Sequence, residues 1–346
     1  MLETVWVGGL PIRDFSCDIS AEMAVRSAVA LIATRGASFP LMRDDPIEIR
    51  ASGTLLLTGY VRDIDVAHDD QSHEFSASFV SRTIDASECS VEHDEGWLEK
   101  KSLPEIGEAF DTLGIGIETD GSTFPPETRH RLALGETLYE TLERRARSRG
   151  VLIMDTPEGK LKLAQGPEGR HTGGLWLGVN IKSGSAKFTG HGLHAPVIVR
   201  GQSTEGVTAP SLRPQGSYSD AGVRRRRPLI LRHSGEAGED RLKKRAGWEA
   251  QRAAGNSIQA TITVAGWRDS GGTIWRPNWL VEVHNALLGL KGAMLIKSVS
   301  LAQNDSIGTV ATLSLVDPRA LGGENPRGGS SDAFTAPTGA NAEYEA

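Results

Sequence analysis

The sequence predicts an α+β fold that is rich in β-structure, with two tandem, similar β-barrel domains and small inserted α/β domains. Its 346 residues are enough for two or three domains. Its 40 glycines and 16 prolines separate many short runs in which apolar and polar residues alternate, as is typical of strands joined by turns. Two of these β-rich runs also resemble each other, which predicts that one domain is repeated.

Residues 1–90 are predicted to form the first barrel domain. TVWVGGLPI, from Thr4, indicates a strand, and AEMAVRSAVALIA, from Ala21, indicates a helix. From Pro46 to Val80 the chain alternates as a meander, with the polar turn HDDQSH between two strands. The apolar face of this meander would consist of Ile47, Ile49, Leu55, Leu57, Tyr60, Val61, Phe75, Phe79 and Val80.

Residues 91–200 are predicted to form an α/β domain. Apolar residues at helical spacing indicate one helix over LPEIGEAFDTLGI, from Leu103, and a second over GETLYETLERRARSRG, from Gly135. The second helix has a basic last turn before Gly150, which suits a helix end. VLIMDTPEGKLKL, from Val151, predicts a hairpin, and two more strands are expected between Asn180 and Val199.

The rest of the chain is predicted to contain a loop, a helix, the second barrel and a tail. Residues 201–235 are rich in proline, glycine and arginine and indicate a basic loop. Residues 236–321 would hold a helix over EDRLKKRAGWEAQRAAG and the second barrel, which could also use strands from residues 180–200. Residues 322–346 contain little apolar material, so we expect a flexible tail.

The internal repeat relates the two barrel domains. PIEIRASGTLLLTGYV, from Pro46, resembles PNWLVEVHNALLGLKGAMLIKSV, from Pro277, at a period of about 235 to 240 residues. The matched positions are Ile47 to Ile49 with Val281 to Val283, and Leu56-Leu57 with Leu295-Ile296. Two similar domains in one chain let three chains close a ring of six quasi-equivalent units, which can join a threefold object to a sixfold one.

Charge and motifs exclude several classes of function. The net charge of −6 disfavours a sequence-independent nucleic-acid binder. The chain has no apolar run of membrane-spanning length, no signal-peptide pattern, and no P-loop, GXGXXG or GXSXG motif. No metal or cofactor is predicted, because Cys17 and Cys89 have no CXXC partner, and His171, His191 and His194 lack further ligands at suitable spacing.

Two charged segments and two tryptophans are candidate binding features. EHDE, from Glu92 to Glu95, fits a solvated turn better than a catalytic pair, because paired carboxylates must flank a substrate from separated positions. Arg224, Arg225, Arg226 and Arg227 form a basic loop that could bind a protein partner or DNA, or stay solvated. Trp275 and Trp279 would suit a subunit interface if they were exposed.

The segment from Arg227 to Val283 resembles the Mu-like phage tail protein P family, which are baseplate hub proteins of contractile tails. The resemblance rests on Arg245-Ala246 and Trp248-Glu249 in the helix, on Gly266-Trp267-Arg268, and on GTIWRPNWLVEV from Gly272. The order of elements upstream is also similar, so the resemblance covers most of Leu2 to Leu321. The late control protein D family and the hub half of secretion-system spike proteins are more distant relatives.

This resemblance implies a structural protein without enzymatic activity or cofactor, made in the cytoplasm of a bacterial host and located in the virion tail baseplate. It implies a homotrimer that binds the tail tube protein, the central spike protein and other baseplate proteins. DNA would pass transiently through its channel during ejection, and no integral membrane segment is expected. The candidate subunit or tube interface residues are Ile47, Glu48, Ile49 and Arg50, with Leu280, Val281, Glu282 and Val283 as their equivalents.

Two alternatives from other classes remain open at this stage. The first is a tail-associated peptidoglycan hydrolase, although the expected pair of separated acids is missing. The second is a glycan-binding tail module that uses the tryptophans.

Overall fold

The chain is described here by a computed structural model over residues 2–33, 41–70, 73–202, 212–236 and 238–322. In chain order, the strands are β1 (Val5–Val7), β2 (Ile12–Ser20), β3 (Ser27–Ile32), β4 (Pro46–Ala51), β5 (Thr54–His68), β6 (His73–Ser81), β7 (Trp97–Lys101), β8 (Ile117–Thr119), β9 (Glu127–Arg131), β10 (Leu152–Asp155), β11 (Leu161–Ala164), β12 (Gly169–Arg170), β13 (Leu175–Trp176), β14 (Ile181–Phe188), β15 (Val197–Gln202), β16 (Gln215–Tyr218), β17 (Leu229–Glu236), β18 (Ile258–Ala265), β19 (Trp279–Asn285), β20 (Leu290–Asn304) and β21 (Gly308–Val316). The α-helices are α1 (Ile84–Glu88), α2 (Leu103–Phe110), α3 (Leu138–Arg149) and α4 (Glu239–Asn256). Short 3₁₀ helices cover Ala286–Leu288 and Pro318–Leu321. The predicted β-rich fold class is confirmed, and the predicted tail after Gly322 lies outside the described residues.

Two similar antiparallel units make up most of a 13-stranded sheet. The first unit has the strand order β4-β5-β6-β3-β2, and the second has the order β19-β20-β21-β18-β14. Each therefore contains a three-stranded meander followed by two more strands in the same arrangement. Strand β1 pairs with the outer edge of β4, while β12 and β13 pair with the outer edge of β19. Over the described residues this pairing is an open path of strands.

Matching β-bulges fix the correspondence between the units. In the first unit the pairing register shifts at Arg62 of β5 and at Arg13 of β2. In the second it shifts at Lys297 of β20 and at Lys182 of β14. Because bulges sit at defined positions in a fold, these four residues align the two units strand by strand.

The bulge alignment corrects one detail of the repeat. The predicted match of Ile49 with Val283 agrees with the strand pairing, since Ile49 pairs with Leu57 and Val283 pairs with Gly292. Leu57 is therefore equivalent to Gly292, and not to Ile296 as the sequence suggested. The sequence comparison was misled by the repeated leucines of the second unit, which begin in its longer turn at Leu287.

The predicted helix from Ala21 is wrong. The structure has strand β3 there, in which Ala28, Ala30 and Ile32 face the core and the residues between them do not. This alternation has the period of a strand, and β3 pairs with β2 on one side and β6 on the other. Pairing on both edges outweighs the helix propensity of the alanines.

The α/β segment packs α2 and α3 against the sheet β10-β11-β8. The predicted helices and the hairpin are confirmed here. Helix α3 begins at a capping box formed by Thr137 and Glu140 and ends at Gly150, which has φ +67°. Strands β7 and β9 form a separate pair beside them.

A small third sheet, β16-β15-β17, packs against α4. Strands β16 and β17 lie in residues 201–235, so the prediction of a loop there is wrong for these parts, which pair with β15. Gly216 of β16 lies so close to α4 that a Cβ atom would come within 2.1 Å of the Lys243 backbone nitrogen. None of the described helices is both long and apolar enough to cross a membrane.

Candidate subunit and partner interfaces

The apolar candidates for the subunit interface lie inside the chain. Ile47, Ile49, Val281 and Val283 are buried in the largest core cluster. They alternate along β4 and β19 with Glu48, Arg50, Leu280 and Glu282, whose side chains are exposed or half-buried. The interface prediction is therefore corrected for the four buried residues, which pack within their own chain, and the other four remain candidates.

Among the described residues, strands β4 and β19 each have partners on both edges, although β1, β12 and β13 cover only part of an edge. β4 is paired with β1 and β5, and β19 is paired with β20 and with β12 and β13. Longer unpaired strand edges that could accept another chain lie elsewhere in the described part of the sheet.

The junction between the two units shows how a strand pairs with such an edge. Within the chain, residues 15–20 of β2 pair antiparallel with residues 298–303 of β20. This places Cys17 opposite Leu301 and Ile19 opposite Val299, and all four side chains are buried. The second half of β20 thus has β21 on one side and β2 on the other.

The equivalent half of β5 has a partner on one side only, among the described residues. Residues 63–68 pair with β6, and no strand occupies the side on which β20 receives β2. Val66, the equivalent of Leu301, is 41% exposed, whereas Leu301 is fully buried. The lack of a second neighbour accounts for this difference.

Strand β14, the equivalent of β2, likewise has one described partner, β18. The bulge alignment makes Ala186 equivalent to Cys17 and Phe188 equivalent to Ile19. Phe188 is 40% exposed, whereas Ile19 is 6% exposed. The chain therefore presents two open edges that are equivalent to the two strands it joins internally.

Two exposed tryptophans lie beside equivalent residues of the two units, although β1 runs antiparallel to β4 and β13 runs parallel to β19. Trp6 of β1 pairs with Arg50 of β4, and Trp176 of β13 pairs with His284 of β19. Trp176 stacks on His284, with the ring centroids 4.0 Å apart. Each indole is thus exposed beside the same position of its unit.

The tryptophans predicted for an interface lie differently. Trp275 is buried, and Trp279 is half-buried beside His171. The sequence did not single out Trp6 or Trp176, because their exposure depends on pairing with strands far away in the chain.

The four arginines of the predicted basic loop lie in two different environments. Arg224, Arg225 and Arg226 are exposed. Arg227 instead pairs with Ala195 through its backbone, and its guanidinium donates a hydrogen bond to the Gly190 carbonyl at 2.6 Å. Three of the four arginines are therefore available to a partner.

Of the three histidines considered as metal ligands, His171 is buried, His191 is exposed and His194 is half-buried. No group of three potential metal ligands occurs in the described part of the chain. His171 is buried with its Nδ1 2.9 Å from an Asp269 carboxylate oxygen, and its Nε2 accepts a hydrogen bond from the Arg276 N–H. Both ring nitrogens are occupied, so this pair stabilises the loop before β19 and has no free nitrogen for proton transfer.

The two cysteines lie in different environments. Cys17 is buried, and burial raises the pKa of its thiol to about 12, whereas Cys89 is exposed.

The acidic turn from Glu92 to Glu95 has exposed carboxylates, and His93 in its middle packs against Phe110.

Two family models and one curated protein match the chain. "Mu phage baseplate assembly protein GpP, fourth domain" matches residues 239–324, and "Baseplate hub protein gp44-like, second domain" matches residues 83–165. Baseplate hub protein gp44 of Escherichia phage Mu is 24% identical over 282 residues, which are 77% of this chain and 73% of that protein.

Solved structures have the same fold. The 43 kDa tail protein of prophage MuSo2 from Shewanella oneidensis has a TM-score of 0.80 and 25% identity, covering 93% of this chain and 99% of that chain. The tail protein from Neisseria meningitidis MC58 has a TM-score of 0.76 and 18% identity, with the same coverage of 93% and 99%. The E. coli c3393 protein, described as a type VI secretion component similar to T4 tail proteins gp27 and gp5, has a TM-score of 0.57 and 9% identity over 90% of this chain and 76% of that chain. The predicted resemblance to the Mu-like baseplate proteins is therefore confirmed, because residues 83–165 and 239–324 each match the model of one of their domains.

Proposed function

We propose that the chain is a structural baseplate hub protein of a contractile phage or phage-derived tail, and that it assembles as a homotrimer. The relatives named above support the baseplate role. The observation that supports the assembly is the internal junction of β2 with β20, together with the open, equivalent edges of β14 and β5.

Applying the internal register to the open edges gives a specific subunit contact. Because β2 pairs with β20 within the chain, β14 of one subunit would pair antiparallel with β5 of the next. The bulge alignment then places Ala186 opposite Val66, Lys187 opposite Asp65, and Phe188 opposite Ile64. The outer pairs are apolar and the middle pair has opposite charges, so all three are of the kind that stabilises antiparallel strands.

This contact joins different surfaces of neighbouring chains, so repeating it produces either a closed ring or an open helix. The resemblance implies closure at three chains, which makes a ring of six units. A surface present in both units then occurs six times per ring, and a surface present once per chain occurs three times.

Each candidate surface suits a partner whose symmetry equals the number of times that the surface occurs in the ring. Trp6 and Trp176 lie beside equivalent residues, so they would form a sixfold set of exposed aromatic contacts for the tail tube protein. The loop at Arg224 to Arg226 occurs once per chain and suits the central spike protein or another threefold baseplate protein. DNA would pass transiently through the channel of the ring.

The hub in this proposal has no enzymatic activity. The buried His171 supports this part of the proposal, because both of its ring nitrogens are occupied by hydrogen bonds. A turbidity assay on purified peptidoglycan tests this, since reproducible clearing would support the hydrolase alternative and contradict the proposal.

The assembly is tested by the mass of the purified protein from light scattering. One chain has a mass of 37.1 kDa, so a trimer would have three times that mass. A disulfide then tests the proposed contact directly. Val66→Cys with Ala186→Cys, in a chain carrying Cys89→Ser, should give covalent trimers under oxidation, because opposed residues of paired strands have Cα atoms about 4.5 to 5.5 Å apart.

The matched control moves one cysteine out of register. Val66→Cys with Lys182→Cys separates the cysteines by about four residues along β14, beyond disulfide reach. Covalent trimers from the first variant and not from the control would support the contact. A trimer by mass with no cross-link would contradict it, and a monomer that never cross-links would contradict the trimer itself.

A further inference from the structure

An arginine-rich cleft lies between α3 and α4, away from the strand edges and the tryptophans described above. Its volume is about 470 Å³. Its lining residues come from β9, α3, β17 and α4 and are Arg131, Arg144, Arg145, Arg147, His233, Arg241, Arg245 and Glu249. The lining therefore contains six arginines, one histidine and one glutamate.

Three of the six arginines form ion pairs with glutamates, among them Arg245 with Glu249 at 3.9 Å. Arg144 pairs with Glu136 at 3.1 Å, and Arg147 pairs with Glu143. Both glutamates lie outside the cleft lining. Arg131 and Arg241 are exposed, and neither forms an ion pair with a carboxylate of the described residues.

His233 holds one of the arginines at the base of the cleft. Its ring is buried, and its Nδ1 lies 2.8 Å from Nη1 of Arg245, which donates the hydrogen bond. Burial, followed by the nearby charges of Arg245 and Arg241, lowers the pKa of His233. The ring is therefore neutral at physiological pH and accepts the guanidinium hydrogen bond, which fixes Arg245 in place.

Guanidinium groups that converge on one space repel each other unless an anion lies between them. Their planar donor pairs match the two oxygens of a carboxylate. A nucleic-acid duplex is too wide to enter a cleft of about 470 Å³, because the major groove of the duplex is already about 12 Å wide. Glutamate and aspartate side chains do fit.

We propose that this cleft binds an acidic peptide segment of a partner protein. Because the cleft occurs once per chain, the proposed trimer would present three copies, and only this number rests on the proposed function. Binding by a single chain does not depend on it.

Fluorescence anisotropy with a labelled octa-glutamate peptide tests the proposal, and a labelled octa-glutamine peptide is the probe control. The test variant is Arg131→Glu with Arg241→Glu, because neither side chain pairs with a described carboxylate. The control is Arg13→Glu with Arg43→Glu, which makes the same change of charge at two exposed residues outside the cleft lining. Melting temperature and solution mass confirm that both variants keep the fold and assembly of the parent.

We expect octa-glutamate to bind the parent protein more tightly than octa-glutamine, and more weakly as salt is raised. The cleft variant should lose at least about tenfold in affinity, and the control variant less than about twofold. Equal losses in the two variants, or no preference for octa-glutamate, would overturn the proposal. So would tighter binding of a single-stranded DNA oligonucleotide that depends on the same two cleft arginines.

The chain's own C-terminal segment is a competing occupant, because residues 323–346 contain four acidic residues and one arginine. A full-length variant carrying Asp332→Asn, Glu343→Gln and Glu345→Gln distinguishes the two. Unchanged affinity for octa-glutamate supports a partner protein. A gain of about tenfold would assign the cleft to this segment and overturn the proposed partner.

Discussion

Reversing one charge at the proposed β14–β5 contact should weaken assembly of the ring, and reversing both should restore it. The pair is Lys187 of one subunit and Asp65 of the next. Both side chains are exposed within the chain, and neither forms an ion pair with another described residue. Their replacement should therefore leave the fold of the chain unchanged.

The expected magnitude follows from the number of contacts. Opposite charges directly across an antiparallel pair contribute roughly 0.5 kcal/mol, and like charges cost a similar amount. Asp65→Lys thus changes each contact by about 1 kcal/mol. Three contacts close the ring, so trimer formation loses about 3 kcal/mol, which is roughly a hundredfold in the assembly constant.

The assay is sedimentation or light scattering over a range of protein concentrations. Asp65→Lys alone and Lys187→Asp alone should each shift the monomer–trimer transition to higher concentration by roughly tenfold, since that midpoint depends on the square root of the assembly constant. The double variant should return close to the parent. Lowering the salt should enlarge both single effects, because the charges are exposed.

Two results would refute the reasoning. If each single variant assembled like the parent, these residues would not face each other. If both single variants failed and the double variant failed equally, the losses would come from two unrelated sites. Arg13→Glu serves as a control, because Arg13 lies at the bulge of β2, before the residues that pair with β20.

Three further predictions concern stability. Asp155→Ala should lower the free energy of unfolding by about 3 to 5 kcal/mol, because it leaves Arg26 buried without its ion pair of 2.7 Å. The control Glu48→Ala removes an exposed ion pair and should cost less than about 1 kcal/mol. Urea unfolding measures both values. Burial, then the charges of Arg145 and Arg144, lowers the pKa of His130 to about 4 from 6.5, so the unfolded chain takes up this proton first. Stability should therefore fall by up to about 3 kcal/mol as pH drops from about 6.5 to about 4, and a His130→Asn variant that kept the full pH dependence would contradict this. Gly216→Val should separate β16 from α4 and lower the melting temperature by several degrees, roughly that of a 2 kcal/mol loss. Gly190→Val should cost less, because a Cβ atom there would meet nothing within 4 Å and the backbone is not left-handed.

The sequence could predict features that depend on neighbouring residues or on repetition. The helices from Leu103 and Leu138 have apolar residues at helical spacing, and Thr137 and Gly150 mark the ends of the second. The repeat was visible because the alternation at Ile47 and Ile49 recurs at Val281 and Val283. These signals need no knowledge of the tertiary fold.

Features that depend on distant strands could not be predicted in the same way. The segment from Ala21 is rich in alanine and has helix propensity, yet β2 and β6 pair with both edges of β3. The apolar residues of β4 suggested an interface, yet the chain already pairs both edges of this strand. The sequence shows which residues are apolar, but the order of strands in the sheet determines which strand edges are unpaired.

The charges on the two open edges favour pairing of β14 with β5 over pairing of either edge with its own copy. An exposed edge can pair with any other strand, including its own copy in a second molecule. The open half of β5 contains Asp63 and Asp65, while its Arg62 is paired with Glu88 at 2.7 Å. β14 contains Lys182 and Lys187.

Pairing two β5 edges would bring acidic side chains together, and pairing two β14 edges would bring lysines together. Pairing β14 with β5 instead brings opposite charges together and covers Phe188 and Val66, which are 40% and 41% exposed in the single chain. Like charges across a strand pair are destabilising, so this distribution disfavours both symmetric dimers. The contact that remains favourable joins different edges of successive chains, and a contact of that type is the one that can close a ring.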